Sequence, residues 1–245
     1  MRSGRVAPSS EPALCCFPGL AWEAARRAEE MFVAGVDEVG RGCWAGPVLA
    51  AAVILPERCY LQPELLQGVR DSKQLLPHQR ERLYQRILEL ALAVGVGLRP
   101  ATFIDAYGIV AASRAAMLEA VRGLQVRPDL LLVDALALPD AGIPYHAPAH
   151  ADETYLCVAA ASIVAKVLRD RLMTELDAAY PGYGLAAHKG YGTPAHVRAL
   201  LSLGVSPLHR RSFAPVRYLL GVRDCAPALP PAADVPLCPV PHPLV

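Results

Sequence analysis

Phe32-Val-Ala-Gly-Val-Asp37-Glu38-Val-Gly40-Arg41-Gly42 reads as an apolar strand that delivers two adjacent carboxylates into a turn with two glycines around one arginine. Carboxylates are hard oxygen donors suited to a divalent cation. Glycine lets backbone N–H groups come close to a phosphate, and an arginine beside them can pair with it. One segment thus offers both halves of a metal-dependent phosphoryl-transfer site. Neighbouring side chains of an ideal strand point to opposite faces. Asp37 and Glu38 are therefore expected to share a site only if the strand ends or twists there, which Gly40 and Gly42 permit. The plainer alternative is a strand end running into a solvated acidic turn.

Outward from this segment, Pro47–Leu55 is continuously apolar, the mark of a strand buried on both faces, and the short link before it suits an antiparallel neighbour. Further strands are expected over 94–98 and 130–134, with a short edge strand over 143–146. Helices are expected over 22–31, from Pro77 onward, over 103–121 with a break at Gly108, and from Asp152 or Thr154 to about Tyr180. Thr193 and Pro194 open another. Strands first, then alternation, then helices argues for an α/β layer with a C-terminal helical appendage. Residues 1–30 read as a partly disordered lead, 31–221 as the folded domain, and the Pro-rich 222–245 as a disordered tail.

The 245 residues are 53% hydrophobic, enough for one sizeable core, and the formal net charge of +1 excludes a broadly basic nucleic-acid binder. Any such surface must be a local patch. Cysteines at 15, 16, 43, 59, 157, 225 and 238 form no CxxC pair, so they read as thiols of a reducing compartment and give zinc no support. The apolar stretch 13–17 is too short for a signal core, and no run is long enough to span a bilayer. A cytoplasmic protein is expected.

Asp134 ends a buried strand at the carboxyl edge, where open α/β sheets place their sites. It reads as a site residue or a loop cap. Asp152 reads locally as a helix N-cap. Lys166 and Asp170 stand four apart on one helix face, an ion pair that would position the helix. His188-Lys189-Gly190-Tyr191-Gly192-Thr193 could hold a backbone phosphate and stack a sugar or base, or be an ordinary polar turn. Asp71-Ser72-Lys73 and His209-Arg210-Arg211-Ser212 are two more short basic loops that, taken singly, read as solvated surface.

Taken together, these blocks resemble the bacterial ribonuclease HII, or type 2 ribonuclease H, family. The resemblance runs from about Phe32 to Leu220 through Ala34-Gly-Val-Asp-Glu-Val-Gly-Arg-Gly42, Asp71-Ser-Lys73, Leu132-Val-Asp134, Ala160-Ala-Ser-Ile-Val-Ala-Lys166, Arg169-Asp170, His188-Lys-Gly-Tyr191 and Arg210-Arg-Ser-Phe213. It implies a ribonuclease H-like fold with a mixed five-stranded sheet flanked by helices. It implies that Asp37, Glu38, Asp134 and Asp152 hold two divalent cations, Mg²⁺ or Mn²⁺, about 4 Å apart. Gly40, Arg41 and Gly42 would read a ribose 2′-OH through the backbone, Tyr191 would pack on the sugar of the next deoxynucleotide, and Ser72 and Lys73 would contact phosphate. Lys166, Asp170, His188, Lys189 and Arg211 are further substrate-side or structural candidates. The implied partner is an RNA/DNA hybrid or duplex DNA carrying a ribonucleotide, cut on the 5′ side of the ribonucleotide to leave 3′-OH and 5′-phosphate ends, by a monomer with no membrane contact.

Two positions depart from the family pattern. His150 stands where a lysine is usual, two residues before the fourth acid, and it exchanges a fixed charge for a titratable one. Trp44 is bulkier than the residue expected beside the Gly-Arg-Gly turn. A nucleic-acid-binding protein of the same fold with impaired catalysis is the alternative from another class. Ribonuclease HIII would need a further N-terminal substrate-binding domain.

Overall fold

The computed structural model describes residues 17–221. The expectations for the Pro-rich tail and for the first 16 residues of the lead lie outside the described residues.

The apolar runs become the middle of the sheet. β1 (Val33–Val39) pairs antiparallel with β2 (Val48–Ile54), and β2 with β3 (Ala93–Arg99). On the other side of β1, β4 (Leu130–Val133) lies parallel to it, and β5 (Tyr145–His146) lies parallel to β4 at the edge. The order β3-β2-β1-β4-β5 is the mixed five-stranded sheet that the resemblance implies.

Strand alternation sorts side chains into two cores. Val33, Leu49, Ala51, Val53 and Leu132 enter one, while Ala34, Val36, Val48, Ala50, Ala52, Ile54, Leu131 and Val133 enter the other. The first is covered by α1 (Leu20–Ala28), α2 (Arg58–Leu61), α3 (Pro77–Leu90) and α6 (Leu156–Ala179), the second by α4 (Ala101–Arg122). Each fully buried Val or Leu contributes roughly 1.5–3 kcal/mol. A one-residue slip of β1 would exchange every one of its side chains between the two cores, so the register that places Asp37 and Glu38 is strongly specified.

Gly108, at φ 81° and ψ 161°, divides α4 into two pieces as the sequence indicates. The single helix expected from Asp152 or Thr154 is instead two. One turn, α5 (Ala151–Thr154), ends at an extended Tyr155, and α6 starts afresh at Leu156. The physical cause lies far away in sequence. The buried Glu23 carboxylate of α1 accepts the Leu156 and Cys157 N–H groups at 2.8 and 3.1 Å, capping α6 from outside the chain segment.

The appendage comprises α7 (Leu185–His188), α8 (Pro194–Leu203) and α9 (Ala214–Leu219). Thr193 caps α8 by accepting the His196 N–H, with Pro194 in the first position. Ala45, Met173, Tyr183, Leu185 and Leu200 form a third core that seats the appendage on the distal half of α6 and on the loop after β1.

Candidate active site

Asp37 and Glu38 both lie inside β1, opposite Ala51 and Ala50 of β2. The strand does not break between them. On the other flank, β4 pairs β1 only as far as Val36, and the Asp134 N–H then donates to the Val36 carbonyl at 3.1 Å. Asp134 is thereby delivered to the same sheet edge. A backbone turn with Ala135 at φ 50° follows, and the Ala151 N–H donates to Asp134 Oδ1 at 2.8 Å, which ties α5 and Asp152 to the tip of β4.

The electrostatics report the convergence. Burial drives Asp37 well above the ordinary carboxylate range, and the charges of Glu38, Asp134 and Asp152 push the same way, against a hydrogen bond from Ser162. Burial also raises Glu38 and Asp152. The Arg41 guanidinium opposes the rise at Glu38, and Asp134 adds to it at both. Carboxylates from β1, the end of β4 and α5 therefore converge on Asp37.

Each acid is meanwhile diverted to a local partner. Asp37 Oδ1 accepts the Glu38 N–H at 2.7 Å. Glu38 Oε1 pairs with Arg41 Nη1 at 3.1 Å. Lys73 Nζ stands 3.9 Å from Asp152 and equally far from Asp71. Consistent with this, no group of three or more His, Cys, Asp or Glu side chains among the described residues forms a ready-made metal cage. The donor set nonetheless fits a hard divalent cation. Glu38 Oε2 is buried without a hydrogen-bond partner, an acceptor that a cation would satisfy, and mutual repulsion of the carboxylates is what a cation would neutralise.

The turn after β1 is built from below by two buried arginines. Gly40 has φ +93°, and a Cβ there would lie 2.2 Å from Nε of Arg169. Arg169 donates to the carbonyls of Ala45, Pro47 and Lys189, and Arg210 to those of Gly46 and Arg41. Both guanidiniums are fully buried on backbone oxygens, so they stiffen the turn and place positive charge beneath it. The Arg41 side chain stays partly exposed.

The other candidates divide between the site and its support. Ser72 is buried, with its hydroxyl 2.9 Å from that of Ser162, so it faces inward beneath Asp37, whereas Lys73 is exposed toward Asp152. Lys166 and Asp170 form the anticipated ion pair at 2.7 Å, joined by Arg80 at 3.7 Å. Lys189 Nζ is turned onto α6, donating to the Asp170 carbonyl and Thr174 Oγ1. Tyr191 leaves its ring half-exposed on the loop before α8. The Arg211 and Ser212 N–H groups donate to Asp105 of α4, which anchors that loop while the Arg211 side chain is exposed. His150 adopts a left-handed conformation and is exposed, with Nδ1 3.8 Å from Glu153.

Sequence reasoning gave no role to Glu23 and none of their own to Ser162 and Arg169 within their blocks, and it read the His209-Arg210 loop as solvated surface, whereas both of those side chains are buried. For Arg169 a signal existed. Val158, Ser162, Ala165, Arg169 and Met173 follow one helical face, so a guanidinium sits on the buried stripe of α6. Glu23 carries no comparable local signal.

Comparison with known proteins places this arrangement in a family. The family model described as Ribonuclease HII matches residues 34–216. The Ribonuclease HII of Chloroflexus aurantiacus is 56% identical over 184 residues, covering 75% of this chain and 87% of that protein. The Ribonuclease HII of Chloroflexus aggregans is 53% identical over 192 residues, covering 78% and 91%. Among solved structures, the ribonuclease H2 of Pyrococcus horikoshii OT3 superposes with a TM-score of 0.66 at 28% identity, covering 77% of this chain and 97% of that one.

Proposed function

The chain belongs to the ribonuclease HII family and is a metal-dependent ribonuclease, a hydrolase; from that premise we propose that it is an endonuclease that cuts the RNA strand of RNA/DNA hybrids and the 5′ side of single ribonucleotides in duplex DNA. The observation that carries this reading is that the charges of Glu38, Asp134 and Asp152 all act on the buried Asp37, beside the Gly40-Arg41-Gly42 turn.

Asp37, Glu38, Asp134 and Asp152 would hold two divalent cations, Mg²⁺ or Mn²⁺. Such ions supply activation of a water for in-line attack at phosphorus and neutralisation of charge on the leaving 3′-oxygen. The protein's own residues supply the rest. Ser162 holds Asp37 through its hydroxyl, and Ser72 holds Ser162. Arg41 and Lys73, both with exposed side chains next to the acids, are the cations that would bind backbone phosphate.

RNA differs from DNA at the cut by one hydroxyl, which both donates and accepts. The backbone of the Gly40–Gly42 turn, held rigid by Arg169 and Arg210, meets that hydroxyl without touching a base. Recognition is therefore of the ribose and not of base sequence. The Tyr191 ring packs on the sugar that follows and disfavours a second 2′-OH there, which selects ribonucleotide-to-deoxyribonucleotide junctions. In the cell this activity serves removal of ribonucleotides from DNA.

The test is cleavage of a labelled DNA duplex containing one ribonucleotide, with Mg²⁺, Mn²⁺ or chelator, mapped to the nucleotide. The expected result is a metal-dependent cut immediately 5′ to the ribonucleotide. Binding without cutting in either metal would reject it.

A further inference from the structure

Three imidazoles outside the carboxylate site lie in a row under the loop that carries Tyr191. The His188 and His196 rings stack with centroids 4.3 Å apart, and those of His196 and His209 are 5.2 Å apart. Every ring nitrogen in the row has a partner, and the partners fix every proton.

A backbone N–H can only donate, and a carbonyl oxygen can only accept. Nδ1 of His209 has two neighbours on Ser206, the backbone N–H at 3.1 Å and the hydroxyl at 2.8 Å; the N–H can only donate, so that nitrogen is bare, the hydroxyl donates to it as well, and the ring proton sits on Nε2. The Tyr191 carbonyl lies 2.9 Å from Nδ1 of His196, so this ring carries its proton on Nδ1 and leaves Nε2 bare. The two Nε2 atoms are 3.0 Å apart. The assignments, made independently from opposite ends, leave one donor and one acceptor at that contact, which is what a hydrogen bond requires. The same logic fixes His188, whose Nδ1 accepts the Gly190 N–H at 3.2 Å and whose Nε2–H donates to the Tyr183 carbonyl at 2.8 Å.

We infer that His209 and His196 are positioning residues for Tyr191, acting as a neutral, proton-ordered chain from the Ser206 amide through both rings to the Tyr191 carbonyl. The inference rests on the reading of Tyr191 as the residue that packs on the sugar after the ribonucleotide. The Tyr191 carbonyl also accepts the Thr193 N–H at 2.8 Å, and its N–H donates to the His188 carbonyl at 2.9 Å. Both backbone polar groups of Tyr191 are thus committed, while its ring is half-exposed with the hydroxyl against Cys43. Trp44 closes the loop from the other side. Its N–H donates to the Gly190 carbonyl at 2.8 Å, and its indole covers Gly192, where a Cβ would lie 2.2 Å from the ring.

The surroundings favour the uncharged chain. Burial and the neighbouring imidazoles push His209 down to about 4, and burial lowers His196 as well. The Tyr183 ring faces His209 at 5.0 Å; the Arg210 guanidinium is turned onto the Gly46 and Arg41 carbonyls, and the Lys189 ammonium onto Asp170 and Thr174. An added proton on either ring would set donor against donor.

The first measurement is ¹⁵N NMR of the ring nitrogens in the wild-type protein at neutral pH. His209 is expected as the Nε2–H tautomer and His196 as Nδ1–H. Either ring charged, or in the opposite tautomer, overturns the chain.

The second is a double-mutant cycle on a duplex with one ribonucleotide, using H209A, Y191A and the pair. H209A is expected to lower kcat/KM about tenfold in the wild-type background and hardly at all in Y191A. H209Q, whose amide keeps a donor and an acceptor, is expected to recover most of the loss, and it runs the same cycle if H209A does not fold. Losses that multiply across the cycle overturn the positioning role. Wild-type cleavage by Y191A overturns the Tyr191 reading and the positioning role with it, while the NMR result still decides the proton order.

Discussion

A carboxylate oxygen of Glu23 lies 2.8 Å from the amide nitrogen of Leu156, joining two residues 133 positions apart. This contact sets where α6 begins, and α6 carries Ser162, the hydroxyl that holds Asp37. Glu23→Ala leaves the first amides of a buried helix unpaired, so a loss of about 1–3 kcal/mol is expected in denaturant unfolding.

The same residue gives a pH dependence. Burial outweighs the Cys157 and Leu156 hydrogen bonds and raises the Glu23 carboxyl from 4.5 to about 7. The folded state therefore binds the proton more tightly than the unfolded state between those values. Its contribution is full below the unfolded value and is lost as pH rises through about 7, with a ceiling of about 3 kcal/mol. The Tm of the wild type relative to Glu23→Gln should fall between about pH 5 and pH 8. A difference that is flat with pH would contradict the shift.

His209 acts in the opposite direction. With its folded value down at about 4 against an ordinary 6.5, the unfolded state takes up the proton first as pH falls. Stability from this group is present above the unfolded value and is lost as pH drops from there toward about 4. His209→Gln is expected to flatten the acid side of the Tm profile, measured calorimetrically.

Asp134→Asn is expected to leave the fold intact, since the amide oxygen can still accept the Ala151 N–H. It should lower turnover on the order of a hundredfold or more, because several kcal/mol of transition-state stabilisation depend on that charge. Wild-type turnover would remove Asp134 from the site.

Tyr191→Ala is expected to harm cleavage at a ribonucleotide–deoxyribonucleotide junction more than it weakens substrate affinity. The half-exposed ring stands on a loop whose backbone is already fixed, so its removal leaves that loop in place. Equal losses in rate and affinity would mark a plain binding contact.

Gly40→Ala requires a left-handed conformation and a Cβ 2.2 Å from Nε of Arg169, a buried group with no room to retreat. A loss of about 1–3 kcal/mol is expected, together with reduced discrimination between ribose and deoxyribose at the cut. Unchanged discrimination would argue against the turn as the 2′-OH reader.

What the sequence determined by itself is local and periodic. The continuous apolar runs marked β2 and β4 as buried strands, and Thr193-Pro194 marked the start of α8, because each signal is carried by neighbouring residues. The family resemblance likewise pointed to Asp37, Glu38, Asp134 and Asp152 as one set of acids. The tertiary structure alone decided how those acids meet. The sequence asked for the strand to end or twist at Asp37 and Glu38; β1 runs through both and ends one residue later at Val39, and Asp134 comes to them from β4. It alone split the expected long helix at Tyr155, and it alone aligned Ser206, His209 and His196 on the Tyr191 carbonyl. The reason is physical. A helix or strand announces itself through the spacing of its side chains, whereas a hydrogen bond between distant segments leaves no period in the chain and exists only once the cores have fixed both partners in space.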